Sequence, residues 1–302
     1  MKPWLNLRTI GLVFLLGLHF IGLKAQDEEE DLLSLIEDPE ITNYTFATFK
    51  TNRVINLHSV ENTAGGVLDF KISHRFGFLN GGFYDLFGLD QASIRIGADY
   101  GLTNNLMVGF GRSSYEKTYD GFIKYKFLRQ STGARRMPIT AALMASSAIK
   151  TVPFSEPDRE NYFSSRLYYT FQAIIGRKFS EGFSLQISPT MVHRNLVKTW
   201  DESNDVYAMG VGGRIKLTKR MSINGEYIYV LPNQIGPDYR NSLSVGVDIE
   251  TGGHVFQLHF TNSTSMIEKG FVTESVGNWL DGGIHFGFNV SRVFTIVDNN
   301  KK

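Results

Sequence analysis

From about residue 66 onward, apolar side chains recur at every second position over long runs. Leu68, Phe70, Ile72, His74 and Phe76 alternate with Asp69, Lys71, Ser73 and Arg75. Ile94, Ile96, Ala98 and Tyr100 alternate with Arg95, Gly97 and Asp99. The same pattern returns at 106–110, 121–127, 139–147 (more weakly), 167–175, 183–191, 207–217, 223–231, 243–249, 256–260 and 284–290. Successive side chains of a strand point to opposite faces, so period two is the mark of a sheet with two different faces. Twelve strands are predicted, most of them about 9–12 residues long, where strands in soluble sheets run about 5–6. A strand crossing a bilayer needs about 9–11.

The second face carries Gly, Ser, Thr and Gln among charges of both signs. Asp69, Lys71, Arg75, Arg95, Asp99, Lys124, Lys126, Arg194, Arg214, Lys216, Glu226, Asp248 and Glu250 fall on it. Opposite charges can pair across a lumen, and the 30 glycines relieve crowding there. Tyr100, Tyr119, Tyr169, Tyr207, Tyr227 and Tyr229 fall near strand ends or on the apolar face, where amphipathic rings suit a membrane interface. An open sheet edge in lipid would strand backbone donors and acceptors, so the sheet must close. The expected fold is all-β: a transmembrane antiparallel up-and-down β-barrel of about 12 strands, with 14 possible.

Turn lengths orient it. Residues 102–105, 180–182, 218–220 and 250–253 make short turns, whereas 112–120, 150–164, 195–205, 232–241 and 261–282 make long loops. Outer-membrane barrels place short turns in the periplasm and long loops outside. Both ends of a twelve-strand set then lie in the periplasm. The connection 128–138 is too long for this scheme. Residues 44–60, with Phe46, Phe49, Val54, Ile55 and Leu57, admit a further wall strand, which breaks parity, or a hairpin turning at Thr51-Asn52, which gives 14 strands. The favoured division is residues 1–25 as signal peptide, 26–60 as an acidic N-terminal segment that is periplasmic or a plug, and 61–302 as the barrel.

The signal peptide is read from Lys2 and Arg8 ahead of an apolar stretch at 10–23, interrupted only by His19, with small Ala25 at the cleavage position. The expected location is the bacterial outer membrane after export, with outer-membrane lipid as a partner. Residues 27–40 carry eight acidic groups and no basic one, whereas the body from Ile41 holds 28 basic against 22 acidic residues. The acidic segment is a candidate contact for a periplasmic partner. A net charge of +1 gives no footprint for nucleic acid. The absence of cysteine excludes disulfides, thiol nucleophiles and Cys-ligated zinc.

Three stretches carry a family resemblance: Phe49-Lys50-Thr51-Asn52-Arg53-Val54-Ile55-Asn56, then 68–77 (LDFKISHRFG), then Phe83-Tyr84-Asp85-Leu86-Phe87-Gly88-Leu89-Asp90. Gly111-Arg112-Ser113-Ser114 and Lys117-Thr118-Tyr119-Asp120-Gly121 add to it. The chain from about 45 to 297 resembles an outer-membrane β-barrel family of Bacteroidota, a domain of unknown function. The resemblance implies fold and location, and assigns no catalytic or binding residue.

No chemistry stands out. No histidine pair shows metal-ligand spacing such as His-Glu-x-x-His, and no metal or cofactor is expected. The nearest Ser–His approaches, His58-Ser59 and Ser73-His74, are adjacent residues, which in a strand face opposite ways. No catalytic residue is expected. Phe83, Tyr84 and Phe87 lie in a loop too apolar to be idle and are candidates for a constriction or a rim contact. The side chains of the polar face count eight basic against five acidic, a lean toward anions. The expected function is a narrow pore or transporter for a small polar or anionic solute. The alternatives are a non-conducting structural or partner-binding barrel and, less favoured, a membrane-embedded lipid-modifying enzyme.

Overall fold

A computed structural model describes residues 41–200 and 202–298. The signal peptide and the acidic stretch 26–40 lie outside the described residues. Fourteen strands are described, two of them only two residues long: β1 (Asn43–Tyr44) and β6 (Ser131–Thr132). The other twelve are β2 (Val67–Phe78), β3 (Ala92–Gly101), β4 (Leu106–Ser113), β5 (Thr118–Leu128), β7 (Thr140–Lys150), β8 (Leu167–Lys178), β9 (Phe183–Arg194), β10 (Asp205–Lys216), β11 (Met221–Val230), β12 (Ser242–Thr251), β13 (His254–Thr261) and β14 (His285–Thr295). Each pairs antiparallel with its neighbours, and β14 closes on β2 from Thr295↔Val67 to His285↔Phe78. The wall is a closed twelve-strand antiparallel barrel.

The alternation explains the two faces. Ile123, Leu143, Phe171, Tyr207, Val245 and Phe260 are exposed on the outside, while their sequence neighbours are buried inside. Three short turns are made by a hydroxyl at the same place. Thr103 Oγ1 accepts from the Asn105 and Leu106 amides, Ser180 Oγ from Gly182 and Phe183, and Thr218 Oγ1 from Arg220 and Met221. A side chain that caps two turn donors fixes the reversal and hence the strand register.

The overlong connection after β5 has a cause. Residues 131–132 form a small sheet with β1 (Asn43↔Thr132, Tyr44↔Ser131), and the Thr45 amide donates to the Gln130 carbonyl at 2.8 Å. The Arg129 guanidinium lies 4.1 Å from the Tyr44 ring centre. This connection anchors the incoming chain at the short-turn end of the barrel.

Residues 48–63 lie inside the lumen and add no strand to the wall. The chain reverses over 54–57, where the Val54 amide donates to the Leu57 carbonyl at 2.8 Å and the Ser59 amide to Asn52 at 3.0 Å. It returns to the short-turn end, where the Gly66 amide donates to Gly101 at 2.8 Å. A hairpin is formed, with its turn at 54–57 rather than at Thr51-Asn52. From the other end, the loop after β13 folds inward and carries the helix α1 (Glu268–Thr273), every residue of which is buried.

Candidate functional site: the occluded lumen

The lumen is filled by a hairpin that the wall holds through its own polar side chains. At the tip, three successive backbone donors converge on one wall carboxylate. Glu226 of β11 accepts from the Ile55, Asn56 and Leu57 amides at 3.1, 2.8 and 3.0 Å. Consecutive amides in a tight turn form an anion-binding concavity, here supplied with its anion by the barrel. Lys124 of β5 does the converse. Its ammonium donates to the carbonyls of Glu61, Ser59 and Asn52 at 2.6, 3.1 and 3.4 Å. Gln186 of β9 bridges both senses, donating to the His58 carbonyl at 2.7 Å and accepting from the Val60 amide at 3.2 Å. Arg214 donates to Ala47 and Thr48, Gln257 to Val54, and Arg75 to the Asn56 side chain. A buried segment without regular structure must satisfy its backbone groups somehow, and here the wall side chains do it.

The sequence-predicted side chains fall into two groups. Lys124, Arg214, Arg75 and Glu226 grip the hairpin, as above. The others pair with one another or with loops, except that Lys71 and Asp99 also bond the Asn52 side chain of the hairpin and Lys126 approaches its return limb. Lys71 meets Asp99 at 2.6 Å and Asp69 at 3.3 Å. Arg95 makes a two-pronged contact with Asp120 at 2.8 and 2.5 Å. Arg194 reaches Glu202 at 2.7 Å at the long-loop end, and Asp248 accepts from Gln257 at 2.7 Å. Lys126 lies 3.8 Å from Glu61 of the hairpin's return limb. Lys216 is half-buried near the short-turn end, 3.8 Å from Glu181.

The other side of the hairpin is apolar. Phe49, Val54, Leu57 and Val60 are fully buried in one cluster with Met107, Phe122, Met144, Ile174, Val192, Val206 and Ile228 of the wall. Glycines let the hairpin approach. A Cβ at Gly210 would sit 2.9 Å from a Leu57 methyl, at Gly212 3.0 Å from a Val54 methyl and at Gly176 2.7 Å from a Val60 methyl. Sequence reasoning assigned a polar face to the lumen and missed this half. Its signal is apolar residues on the polar phase of the alternation, such as Phe122 between Gly121 and Ile123 or Ile174 between Ala173 and Ile175.

Phe83, Tyr84 and Phe87 do not constrict the barrel. Phe83 and Tyr84 are 84% and 93% exposed, and Phe87 is exposed beside them with its ring 5.0 Å from that of Phe83. The loop curls on itself through left-handed Leu86, Phe87 and Gly88, and Gly88 packs against Gly77 of β2. That leaves the apolar rings on the rim. The mouth is closed instead by Phe271 and Val272 of α1, both fully buried. The helix meets the hairpin across Glu268, which lies 2.5 Å from Arg53 and 3.3 Å from His58. Lys269 locks α1 to the loop after β4, with Glu116 and Glu274 each at 2.7 Å. Burial opposes charge on Lys269, but the two carboxylates outweigh it and hold its pKa above the ordinary 10.5. Burial likewise raises Glu116, but Lys269 and Lys150 together bring it below the ordinary 4.5.

A family model described as "Membrane bound beta barrel domain (DUF5777)" matches residues 49–294, hairpin and wall together. The chain belongs to this family. No curated protein sequence matches it. Among solved structures, a NanC porin is similar at 7% identity and a TM-score of 0.47, covering 76% of this chain and 100% of that one. A KdgM porin is similar at 9% identity and a TM-score of 0.46, covering 76% and 99%. The outer membrane protein Omp33 of Acinetobacter baumannii is similar at 9% identity and a TM-score of 0.39, covering 75% and 97%. In this chain, several lumenal side chains of the wall are committed to an internal segment.

Proposed function

We propose that the chain is an outer-membrane channel closed by its own lumenal hairpin, which passes a small polar or anionic solute when the hairpin withdraws. The observation that carries this reading is that both limbs of the hairpin leave through the same end of the barrel. The hairpin can therefore slide out as a unit with no strand of the wall unpaired. Withdrawal frees three wall cations, Arg75, Lys124 and Arg214, and one carboxylate, Glu226, whose described partners lie largely in the hairpin. An opened lumen of that composition favours anions.

Spontaneous opening is rare on this account. Four apolar side chains leave the cluster, at about 1.5–3 kcal/mol each, or roughly 6–12 kcal/mol in total. The open fraction is then on the order of 10⁻⁴ or less. Opening needs a driver, and the acidic segment 26–40 that precedes the hairpin is the candidate handle for a periplasmic partner. The apolar half of the lumen favours a second reading, a barrel that never conducts and uses its interior only as a core. Planar-bilayer recording separates them. The intact barrel is expected to be silent, and a Glu226→Ala, Lys124→Met barrel to show anion-selective openings. A folded double variant that stays silent at all voltages would overturn the channel reading in favour of the second.

A further inference from the structure

At the short-turn end, where β5 leaves the wall, a cleft of about 120 Å³ opens to the surface. Phe127, Leu128 and Met137 form its apolar side, and Lys126, Arg129 and Arg135 its basic side. No carboxylate lines it among the described residues. Lys126 is already matched by Glu61 of the hairpin at 3.8 Å. Arg129 and Arg135 make no ion pair with a described residue, and Arg135 is exposed. Arg129 is held by its flat face, 4.1 Å from the Tyr44 ring centre and 5.8 Å from that of Phe46. Stacking of that kind leaves the N–H edge of a guanidinium open to an oxygen ligand. Phe127 and Tyr125 are exposed on the outer face of the same strand, so the cleft adjoins the apolar belt.

The cleft belongs to a basic rim. Arg177 of β8 and Arg292 of β14 are exposed on the outer face, 5.1 Å from the Phe179 ring and 5.0 Å from that of Phe294. Lys219 and Arg220 are exposed in the turn after β10. None of these four makes an ion pair with a described residue, because Glu61, Glu181 and Glu250 at this end are each engaged by lysines. The long-loop end differs. Asp90, Glu156, Asp158, Glu160 and Asp238 are exposed there and make no ion pair with a described residue. Cations spread around the wall at the level of exposed rings suit a surrounding lipid leaflet. A protein docking from one side would meet only part of them.

We propose that Arg129 and Arg135 bind the phosphate of an anionic phospholipid, of the class of phosphatidylglycerol, in the leaflet at the short-turn end. Guanidinium edges match phosphate oxygens in pairs. The acyl chains lie along Phe127 and Tyr125, which a soluble phosphate would leave uncovered. A zwitterionic headgroup brings a cation of its own into the basic rim, so a net negative lipid is preferred. The site is separate from the lumen and holds equally for a barrel that never conducts.

The test uses the refolded full chain in phosphatidylcholine vesicles, with Trp4, Trp200 and Trp279 each changed to Phe. Phe127→Trp reports on the cleft, and Tyr207→Trp, on the outer face near Asp205, reports on the long-loop end. Acyl-brominated phosphatidylglycerol and phosphatidylcholine are compared as quenchers at equal mole fraction. One basic residue at an anionic surface is worth about fivefold in binding. The anionic lipid is therefore expected to be favoured at Phe127→Trp by about fivefold or more, and at Tyr207→Trp by much less. Arg129→Gln with Arg135→Gln should bring the Phe127→Trp ratio to near parity, and Arg135→Gln alone, at an exposed position, should lower it. Inorganic phosphate at constant ionic strength is expected to leave the ratio unchanged. Equal quenching by the two lipids at Phe127→Trp would overturn the site, as would the same preference at both ends or one that survives the double variant. Loss of the preference to inorganic phosphate would overturn the lipid assignment in favour of a soluble anion.

Discussion

Glu226→Gln isolates the contact that seats the hairpin. One carboxylate oxygen accepts from the Ile55 and Leu57 amides, the other from Asn56 at 2.8 Å. The amide oxygen of glutamine can keep the first pair. Its NH₂ group then faces the Asn56 donor, and that donor is left buried and unpaired. The loss is one charge-assisted hydrogen bond of about 1.5–3 kcal/mol plus a buried donor at about 1–3 kcal/mol. A net destabilisation of about 3–5 kcal/mol raises the withdrawn fraction by roughly two to four orders of magnitude. Val60→Cys supplies the reporter, since the chain has no other cysteine and Val60 is fully buried in the lumen. Its reaction rate with a water-soluble maleimide follows the open fraction when closing outpaces labelling. The Glu226→Gln rate is expected to exceed the parent rate by about the same two to four orders, while Ile223→Val on the outer face leaves it unchanged. A rate within a few-fold of the parent would show that Glu226 does not hold the hairpin.

Lys124→Met removes the donor to three hairpin carbonyls, whereas Lys126→Met removes only a 3.8 Å ion pair. The same labelling assay should separate them by at least about tenfold, and equal rates would contradict the assignment. Gly210→Leu puts a side chain where Leu57 stands and is expected to expose the Val60→Cys thiol in a barrel that keeps its strand circular dichroism. The seal at α1 depends on pH at its extremes. Glu116 has a depressed pKa, so its contribution is complete above about 4.5 and fades as pH falls through its lower folded value. Lys269 has a raised pKa, so its contribution persists below about 10.5 and fades above it. The amide-exchange protection factors of residues 266–273 should therefore be flat from pH 5 to 10, and Lys269→Met should flatten their acid limb. A change centred near neutrality would contradict the pairing.

The wall was legible in the sequence because each strand writes its two environments on alternate residues. Runs such as 68–76 and 207–217 place strand, face and length at once. Turn chemistry at Thr103, Ser180 and Thr218 is local and equally readable. The lumen was less legible. Arg75, Lys124 and Glu226 are marked as inward-facing, but alternation does not say what they face. The hairpin has no periodicity of its own, since its backbone is satisfied by residues up to 234 positions away, as with Asn289 and Ile55. The rings of 83–87 misled because an apolar loop reads alike whether it enters a mouth or sits on a rim. Residues 266–273, which do enter, are less apolar and include Glu268 and Lys269.

A disulfide across the hairpin–wall contact tests lumenal closure most directly. A Cβ built on Gly212 lies 3.0 and 3.4 Å from the two methyls of Val54. The Cβ–Cβ distance is therefore no more than about 4.5 Å, within reach of a disulfide. In the Val54→Cys, Gly212→Cys barrel, purified from membranes and mildly oxidised, near-complete cross-linking is expected. The cross-linked barrel should stay silent in bilayers even when Glu226→Ala is added, and reduction should restore openings. Two free thiols that persist under oxidation and label at once with maleimide would mean that the hairpin does not occupy the lumen.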